Sequence, residues 1–255
     1  MSADLTVELD DHVAILEVHR PPTNYFDLDV LRQLADAGNE LAAGGDCRVI
    51  VLASEGKHFC AGANFGEGDL GDARVESSRA VYTEAARIFD VELPIVAAVQ
   101  GSAVGGGLGL ACAADFRVAA ASSRFHANFS ALGFHHGFAL SVTLPRLVGE
   151  QKAAEMLYTS CRLTGSEAYS MGLVDRLVDE GQVRAEAMAF ARSIAKSAPL
   201  AVRSMRQTLR AGMRQAIRVA LERELSEQAW LWKTEDCAAG IEANLARRTA
   251  VFQGR

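Results

Sequence analysis

Two short apolar runs, each followed at once by a glycine-rich loop, set the strongest limit on what this chain can fold into. The runs at residues 48–53 (RVIVLA) and 94–99 (PIVAAV) are rich in β-branched and small side chains. Such runs are typical of strands buried on both faces. The loops that follow, at residues 55–71 and 100–109, contain repeated glycines. Strands that alternate with helices predict an α/β fold.

The remaining periodicity fills in this α/β pattern. Alternating apolar residues on either side of Asp10 and Asp11 predict an opening hairpin. Helical spacing predicts helices over residues 27–41, with Asp27 as the N-cap, and over residues 79–91. The segment 101–109 is predicted as a turn that leads into an apolar helix at residues 108–114, and a third strand follows at residues 116–119.

The chain changes character near residue 198, so we divide it into an α/β core (residues 1–198) and an all-helical C-terminal region (residues 199–255). Apolar side chains recur there at helical spacing over about seven turns. They are Val202, Met205, Leu209, Met213, Ala216, Ile217, Ala220, Leu221 and Leu225. This stripe is expected to pack on the core or on another subunit.

The glycine-rich loops have two interpretations. Three consecutive glycines, Gly105 to Gly107, open a helix, where free N–H groups favour negative charge. Two such loops side by side would place two N–H donors on one oxygen, as in an oxyanion hole. Alternatively, the glycines only permit tight packing of strand on helix. The spacing fits neither a Walker loop nor the dinucleotide fingerprint.

Composition excludes several classes of protein. The formal net charge is −6, which argues against nucleic acid or an anionic membrane as the main partner. The five cysteines are widely spaced and odd in number, so we expect reduced thiols, no metal site and a cytoplasmic location. No signal peptide is expected, and the least polar stretch, residues 93–115, is a poor membrane span because it carries proline, glutamine and glycines.

Six segments of the chain form an ordered set of motifs. They are RPPTN at residues 20–24, FCAGAN at 59–64, PIVAAVQGSAVGGG at 94–107 with Asp115, LPRLVG at 144–149, AYSMGLV at 168–174 and the closing segment 235–248. In the order and spacing of these segments, more than in any one of them, the chain resembles the crotonase (enoyl-CoA hydratase/isomerase) superfamily over nearly its whole length.

The resemblance implies that residues 1–198 form a spiral of ββα units and that residues 199–255 form a helical trimerisation region, with the chain assembled as a homotrimer or a dimer of trimers. It also implies an acyl-CoA substrate, with no permanently bound cofactor and coenzyme A present only as part of the thioester. The thioester oxygen would lie between the N–H groups of Ala63 and Gly106. Coenzyme A would be held by Asn24, Ala61 and Ala63, and by the Arg247 of a neighbouring subunit. Asn244 stands where the family has an aromatic residue in the closing helix.

The sequence departs from the family at the positions that move protons. Family hydratases use two glutamates to activate water, and the matching positions here are Gly109 and Phe129. The carboxylate of the dienoyl-CoA isomerases and the aryl-CoA dehalogenases would fall near Gly137. Because acid–base catalysis needs a titratable group within reach, hydration by a glutamate pair is not expected. Isomerase, decarboxylase, retro-Claisen or hydrolase chemistry stays open.

The nearest titratable residues are His135 and His136, in the turn beside the acyl group. A histidine titrates near neutrality and can serve as acid or base. They are candidate catalytic residues or ordinary helix-entry residues. His126 and His58 are weaker candidates. Further polar residues in and after the second motif are more simply read as solvated; they are Glu67, Asp69, Tyr82 and Glu84.

Two alternatives to an acyl-CoA enzyme remain at this point. A catalytically inactive acyl-CoA-binding protein would retain the loops and lack the glutamates. A serine peptidase would need a nucleophile and base such as Ser102 and His126, which the six-segment resemblance disfavours.

Overall fold

The computed structural model describes residues 4–63 and 72–255 of the chain. Its strands are β1 (Leu5–Asp10), β2 (Val13–Val18), β3 (Val49–Ser54), β4 (Ile95–Val99), β5 (Ser102–Val104), β6 (Phe116–Ala120), β7 (Arg124–His126), β8 (Arg162–Thr164) and β9 (Arg176–Val178). Its helices are α1 (Leu28–Gly44), α2 (Asp72–Asp90), α3 (Gly106–Ala113), α4 (Leu140–Val148), α5 (Glu150–Thr159), α6 (Gly165–Ser170), α7 (Val183–Ala195), α8 (Pro199–Leu209), α9 (Met213–Leu231) and α10 (Glu235–Leu245). A short 3₁₀ turn spans Ser130–Leu132.

The larger sheet has the order β1-β2-β3-β4-β6-β9. Only the β1–β2 hairpin is antiparallel, and the other neighbours pair in parallel. Every residue of β3 and β4 is buried, as the two apolar runs predict. The α/β architecture, the hairpin and the buried strands are therefore confirmed.

A smaller sheet, ordered β5-β7-β8, stands beside the first. The prediction of a continuous turn over residues 101–109 is wrong here, because residues 102–104 form β5 and pair in parallel with β7. Gly101 and Gly105 flank this strand with positive φ angles of 59° and 56°, so the chain turns sharply at both ends. Ala103 and Phe125 point into the core from these two strands.

Two predicted helices of the core form, one with a different start. Asp27 caps α1 by accepting a hydrogen bond from the Val30 N–H at 3.0 Å, as predicted. Helix α2 begins at Asp72, seven residues before the predicted start. Its first turns (DARVESS) show little apolar periodicity, so the sequence pattern does not reveal them.

The C-terminal region is helical, as predicted, but its apolar stripe is interrupted. Between α8 and α9 the chain turns at Gly212, whose φ is 75°. Helix α9 buries Ile217, Leu221 and Leu225, whereas α8 buries no residue. In the first half of the stripe Met205 and Leu209 are exposed and do not pack on the core, and their packing on another subunit stays a prediction. None of the helices in the described ranges is long and apolar enough to cross a membrane.

Candidate functional site

The two glycine-rich loops lie against each other. The Cys60 N–H donates to the Ser102 carbonyl at 3.0 Å, and the Val104 N–H donates to the Cys60 carbonyl at 3.0 Å. A Cβ on Gly62 would lie 2.8 Å from the Val104 carbonyl oxygen, and one on Gly107 would lie 2.2 Å from that of Cys60. Glycine at these two positions therefore permits the close approach of the loops.

The N–H groups of Ala63 and Gly106 lie at this junction. Gly106 is the first residue of α3, so its N–H has no acceptor within the helix. Among the residues that the structure describes, neither N–H has a hydrogen-bond acceptor. Both residues line one large cavity. The ring of Phe26 covers Gly106 so closely that a Cβ there would lie 2.5 Å from it.

The cavity has a volume of about 1110 Å³. This exceeds the roughly 300–1,000 Å³ of usual small-molecule pockets, so it accommodates a large ligand. Much of its lining is aromatic. The residues that contribute rings include Phe26, Phe129, Phe134, Phe138 and Trp232.

Asn24 is buried, with 1% of its surface exposed. Its amide donates to the carbonyls of Glu55 and His58 at 2.8 and 2.6 Å, and its Oδ1 accepts from the Arg20 N–H at 3.0 Å. The side chain thus fixes the first loop and has no donor left for a ligand. Nearby residues of its segment line the cavity instead: Arg20, Thr23 and Tyr25.

The other residues expected to hold coenzyme A lie in two places. Ala61 and Ala63 line the cavity. Arg247 is exposed, follows α10 and does not line the cavity, whereas Asn244 and Leu245 do. Within one subunit the structure therefore does not bring Arg247 together with the two loops.

The positions matched to the family's carboxylates are occupied by other side chains. A Cβ on Gly109 would lie 2.5 Å from the Cβ of Phe138, so Phe138 fills this space. A Cβ on Gly137 would lie 1.8 Å from the hydroxyl oxygen of Tyr82. Phe129 lines the cavity as an apolar group.

Tyr82 is half-buried in the cavity wall, so the expectation of a solvated helix face is wrong. Its hydroxyl donates to Gln228 Oε1 at 2.9 Å, and Gln228 Nε2 donates to the His135 carbonyl at 2.9 Å. Burial raises the pKa of Tyr82, and the nearby Glu224 carboxylate raises it further. The phenol therefore stays neutral, and its hydrogen bond to Gln228 joins α2 to α9.

His135 and His136 are next to the cavity but not in its lining. The two rings stack with centroids 4.1 Å apart. His135 Nδ1 lies 2.7 Å from the His136 carbonyl, and His136 Nε2 lies 2.8 Å from Ser141 Oγ. Burial, with a contribution from His135, lowers the pKa of His136 to about 3.

Glu224 of α9 is a fully buried carboxylate that the sequence analysis missed. It accepts hydrogen bonds from the Ala139 N–H at 2.8 Å, the Ser141 N–H at 3.0 Å and the Ser141 hydroxyl at 2.6 Å. Burial raises its pKa to about 7. The signal was present, because positions 217, 221, 224 and 228 share one helical face and two of them are polar.

Glu67 and Asp69, together with Asn64 of the second motif, fall outside the described residues. Within residues 4–63 and 72–255, no three histidine, cysteine or acidic side chains are grouped as metal ligands.

Comparison with known proteins gives consistent matches over the whole chain. A family model described as enoyl-CoA hydratase/isomerase matches residues 8–255. The crotonyl-CoA hydratase of Syntrophomonas wolfei is 30% identical over 253 residues, which cover 98% of this chain and 97% of that protein. An enoyl-CoA hydratase structure from Mycobacterium avium subsp. paratuberculosis has a TM-score of 0.87 at 26% identity, with 98% and 99% of the two chains covered. A hydratase/isomerase structure from Pseudoalteromonas atlantica has a TM-score of 0.86 at 27% identity, with 98% and 100% covered.

Proposed function

The chain belongs to the enoyl-CoA hydratase/isomerase family, and we propose that this crotonase-fold enzyme stabilises an acyl-CoA oxyanion without the family's glutamate pair. The family membership and fold predicted from the motifs are thereby confirmed. One observation carries the proposal. Two hydrogen-bonded loops bring the N–H groups of Ala63 and Gly106 to the same cavity without an acceptor among the described residues.

The physical basis is the charge that develops on the thioester oxygen. When carbon 2 of the acyl group loses a substituent, or when a nucleophile adds to carbon 1, an electron pair moves onto that oxygen. Two N–H donors fixed by the backbone stabilise the charge without reorganisation, and the loss of one such donor elsewhere costs about 3 kcal/mol. Gly62 and Gly107 let the loops approach closely enough to hold both donors rigidly.

The residues at the glutamate positions restrict the reaction class. Gly109 has no side chain and Phe129 is apolar, so neither transfers a proton to or from water. We therefore expect isomerisation, decarboxylation, carbon–carbon cleavage or thioester hydrolysis in preference to carboxylate-assisted hydration. All four reactions place negative charge on the thioester oxygen, either in an enolate or in a tetrahedral intermediate.

The binding of coenzyme A and the assembly follow as parts of this proposal. The segment of Arg20 to Tyr25 and the loop with Ala61 line the cavity and would hold coenzyme A. Since Arg247 is exposed outside the cavity, its contact would come from another subunit of a trimer or a dimer of trimers. Leu200, Met205 and Leu209 on α8 are exposed apolar side chains that such an assembly would cover. A cytoplasmic location stays a prediction.

The proposal is tested by removing the carbonyl oxygen from the ligand. Calorimetric titration compares butyryl-CoA with S-butyl-CoA, a thioether of the same length. We expect the thioester to bind about tenfold more tightly, since two hydrogen bonds contribute roughly 0.5–1.5 kcal/mol each. Equal affinities would contradict an oxyanion hole.

A second measurement separates an enzyme from an inactive carrier. The protein is incubated in D₂O with butyryl-CoA, phenylacetyl-CoA and 3-enoyl-CoA, and deuterium at carbon 2 is followed by mass spectrometry. An enzyme that forms the enolate exchanges at least one of these. Tight binding with no exchange or turnover would identify an acyl-CoA-binding protein.

A further inference from the structure

His126 belongs to a strand that forms part of the cavity wall. Successive side chains of a strand point to opposite faces, so Phe125 enters the core while Arg124 and His126 face the cavity. Its strand β7 pairs with β5, and the register sets Val104 opposite His126. The imidazole is thus carried by a sheet and not by a mobile loop.

The ring of His126 has a defined tautomer. Its Nε2 lies 2.9 Å from the carbonyl oxygen of Ser160. A carbonyl oxygen only accepts, so Nε2 carries the hydrogen and Nδ1 keeps its lone pair. The hydroxyl of Ser160 lies 3.2 Å from the Ala127 carbonyl oxygen and 2.7 Å from the Ser130 hydroxyl oxygen. These contacts fix Ser160, and with it the carbonyl that His126 contacts. Nδ1 has no hydrogen-bond partner among the described residues.

The backbone of His126 is tied to the loop that supplies one oxyanion donor. The Gly105 N–H donates to the His126 carbonyl at 2.9 Å, and Gly106 is the next residue. Movement of His126 would therefore displace the loop that carries Gly106. The imidazole of His126 and the N–H group of Gly106 are held in fixed positions relative to each other.

Given this geometry, we propose that His126 is the acid–base residue of the site, with Nδ1 as the atom that takes and returns the proton. The inference rests on the proposed function, because it needs a thioester bound at Ala63 and Gly106. Nδ1 removes a proton from carbon 2 of the acyl group, and the C–H electron pair becomes the enolate with its charge on the thioester oxygen. Return of the proton to carbon 2 or to carbon 4 of an enoyl group restores neutral imidazole. No oxidant or co-substrate is needed.

The electrostatic surroundings favour a base in its neutral form. Burial lowers the pKa of His126, and the nearby Arg162 lowers it further. The lone pair of Nδ1 is therefore available at neutral pH.

Other titratable groups are less suited to this role. The Tyr82 hydroxyl already donates its proton to α9 and has a raised pKa. Asp27 lines the cavity but pairs with Arg20 at 2.7 Å. His136 lies outside the lining.

The experiment follows deuterium exchange at carbon 2 for His126→Gln and His126→Ala, on the acyl-CoA that the wild type exchanges fastest. Gln keeps a donor for the Ser160 carbonyl but has no basic nitrogen. We expect exchange to fall by at least 100-fold in both variants, with thioester affinity within threefold of the wild type. Added imidazole should restore part of the exchange in His126→Ala, where the ring has been removed. The matched control is His12→Gln. His12 Nδ1 also lies within hydrogen-bond distance of a backbone carbonyl, that of Asp46 at 2.7 Å, but His12 is not part of the cavity lining.

The outcomes separate this inference from the proposed function. Exchange that persists in His126→Gln overturns the role of His126 and leaves the oxyanion site standing. Loss of thioester binding together with exchange, or no rescue by imidazole, overturns it as well, because the ring then has a structural role. Exchange lost in His136→Gln but retained in His126→Gln would move the role to His136. A wild type that binds thioesters but neither exchanges nor converts any of them refutes the proposed function, and the role of His126 with it; a wild type that converts a thioester without exchange at carbon 2 refutes the role of His126 alone.

Discussion

Glu224 offers a sharp test of how the C-terminal region holds the site. It is completely buried, and its carboxylate accepts three hydrogen bonds from Ala139 and Ser141 at the start of α4. The turn that leads into α4 carries Phe138, which packs on Gly109. Replacing Glu224 by Ala removes the acceptor and leaves two backbone N–H groups without one.

The size of the effect follows from those two groups. An unsatisfied buried N–H costs roughly 1–3 kcal/mol, so the loss of the acceptor for two of them should lower the free energy of unfolding of Glu224→Ala by about 2–6 kcal/mol. Urea titration measures this loss, provided that the dependence of the free energy of unfolding on urea concentration is the same in the wild type and the variant. The matched control is Glu222→Ala on the same helix, because Glu222 is exposed and its pair with Arg79 is worth about 1 kcal/mol or less. A loss below 1 kcal/mol in Glu224→Ala would refute the reasoning.

The pH dependence tests the same group with its sign. Burial raises the pKa of Glu224 from 4.5 to about 7 in the folded state. A raised carboxyl pKa contributes stability that is full below the unfolded pKa and is lost as the pH rises through the folded value. The stability of the wild type relative to Glu224→Gln, which does not titrate, should therefore fall by about 2.5 kcal/mol from pH 5 to pH 8. A difference that stays constant or increases would refute the assignment.

Two further predictions concern the family positions. The double variant Gly109→Glu/Phe129→Glu should not hydrate crotonyl-CoA faster than the wild type, because Phe138 occupies the space that a side chain at position 109 needs. Hydration is measured as loss of the enoyl absorbance, and a faster loss in the variant would contradict this prediction. Asn24→Ala should lower the free energy of unfolding by about 1–3 kcal/mol, since the carbonyls of Glu55 and His58 lose their donor. Thermal denaturation measures it, and an unchanged midpoint would show that the loop needs no such support.

The elements that carry most of the core were predictable from sequence, because their signals are local. The strands β3 and β4 are continuous apolar runs, and Asp27 is a cap residue directly before helical periodicity. The strand β5 was not predictable, because its three residues between glycines become extended only through pairing with β7. Tertiary contacts decide such short segments, and the turn chemistry around them indicates only that the chain bends.

The candidate site shows the same division. The two glycine-rich loops were predictable because glycines after buried strands are a local pattern, whereas the assignment of the backbone donors to Ala63 and Gly106 came from the resemblance to the family. The side chains around them come from elements distant in sequence. The Tyr82 hydroxyl lies where a side chain at Gly137 would be, a relation that depends on how α2 packs beside the 135–139 turn.

Helix α9 explains why the site needs the C-terminal region. Glu224 and Gln228 of this helix, and Trp232 directly after its end, follow one another at four-residue spacing and are buried. Glu224 holds the start of α4, Gln228 holds both Tyr82 and the His135 carbonyl, and Trp232 lines the cavity. Buried polar groups cost stability unless each has a partner, and the partners of Glu224 and Gln228 belong to the wall of the cavity. The buried face of α9 therefore supports the wall of the cavity, while the apolar side chains of α8 are exposed in this chain, and their contact with another subunit stays a prediction.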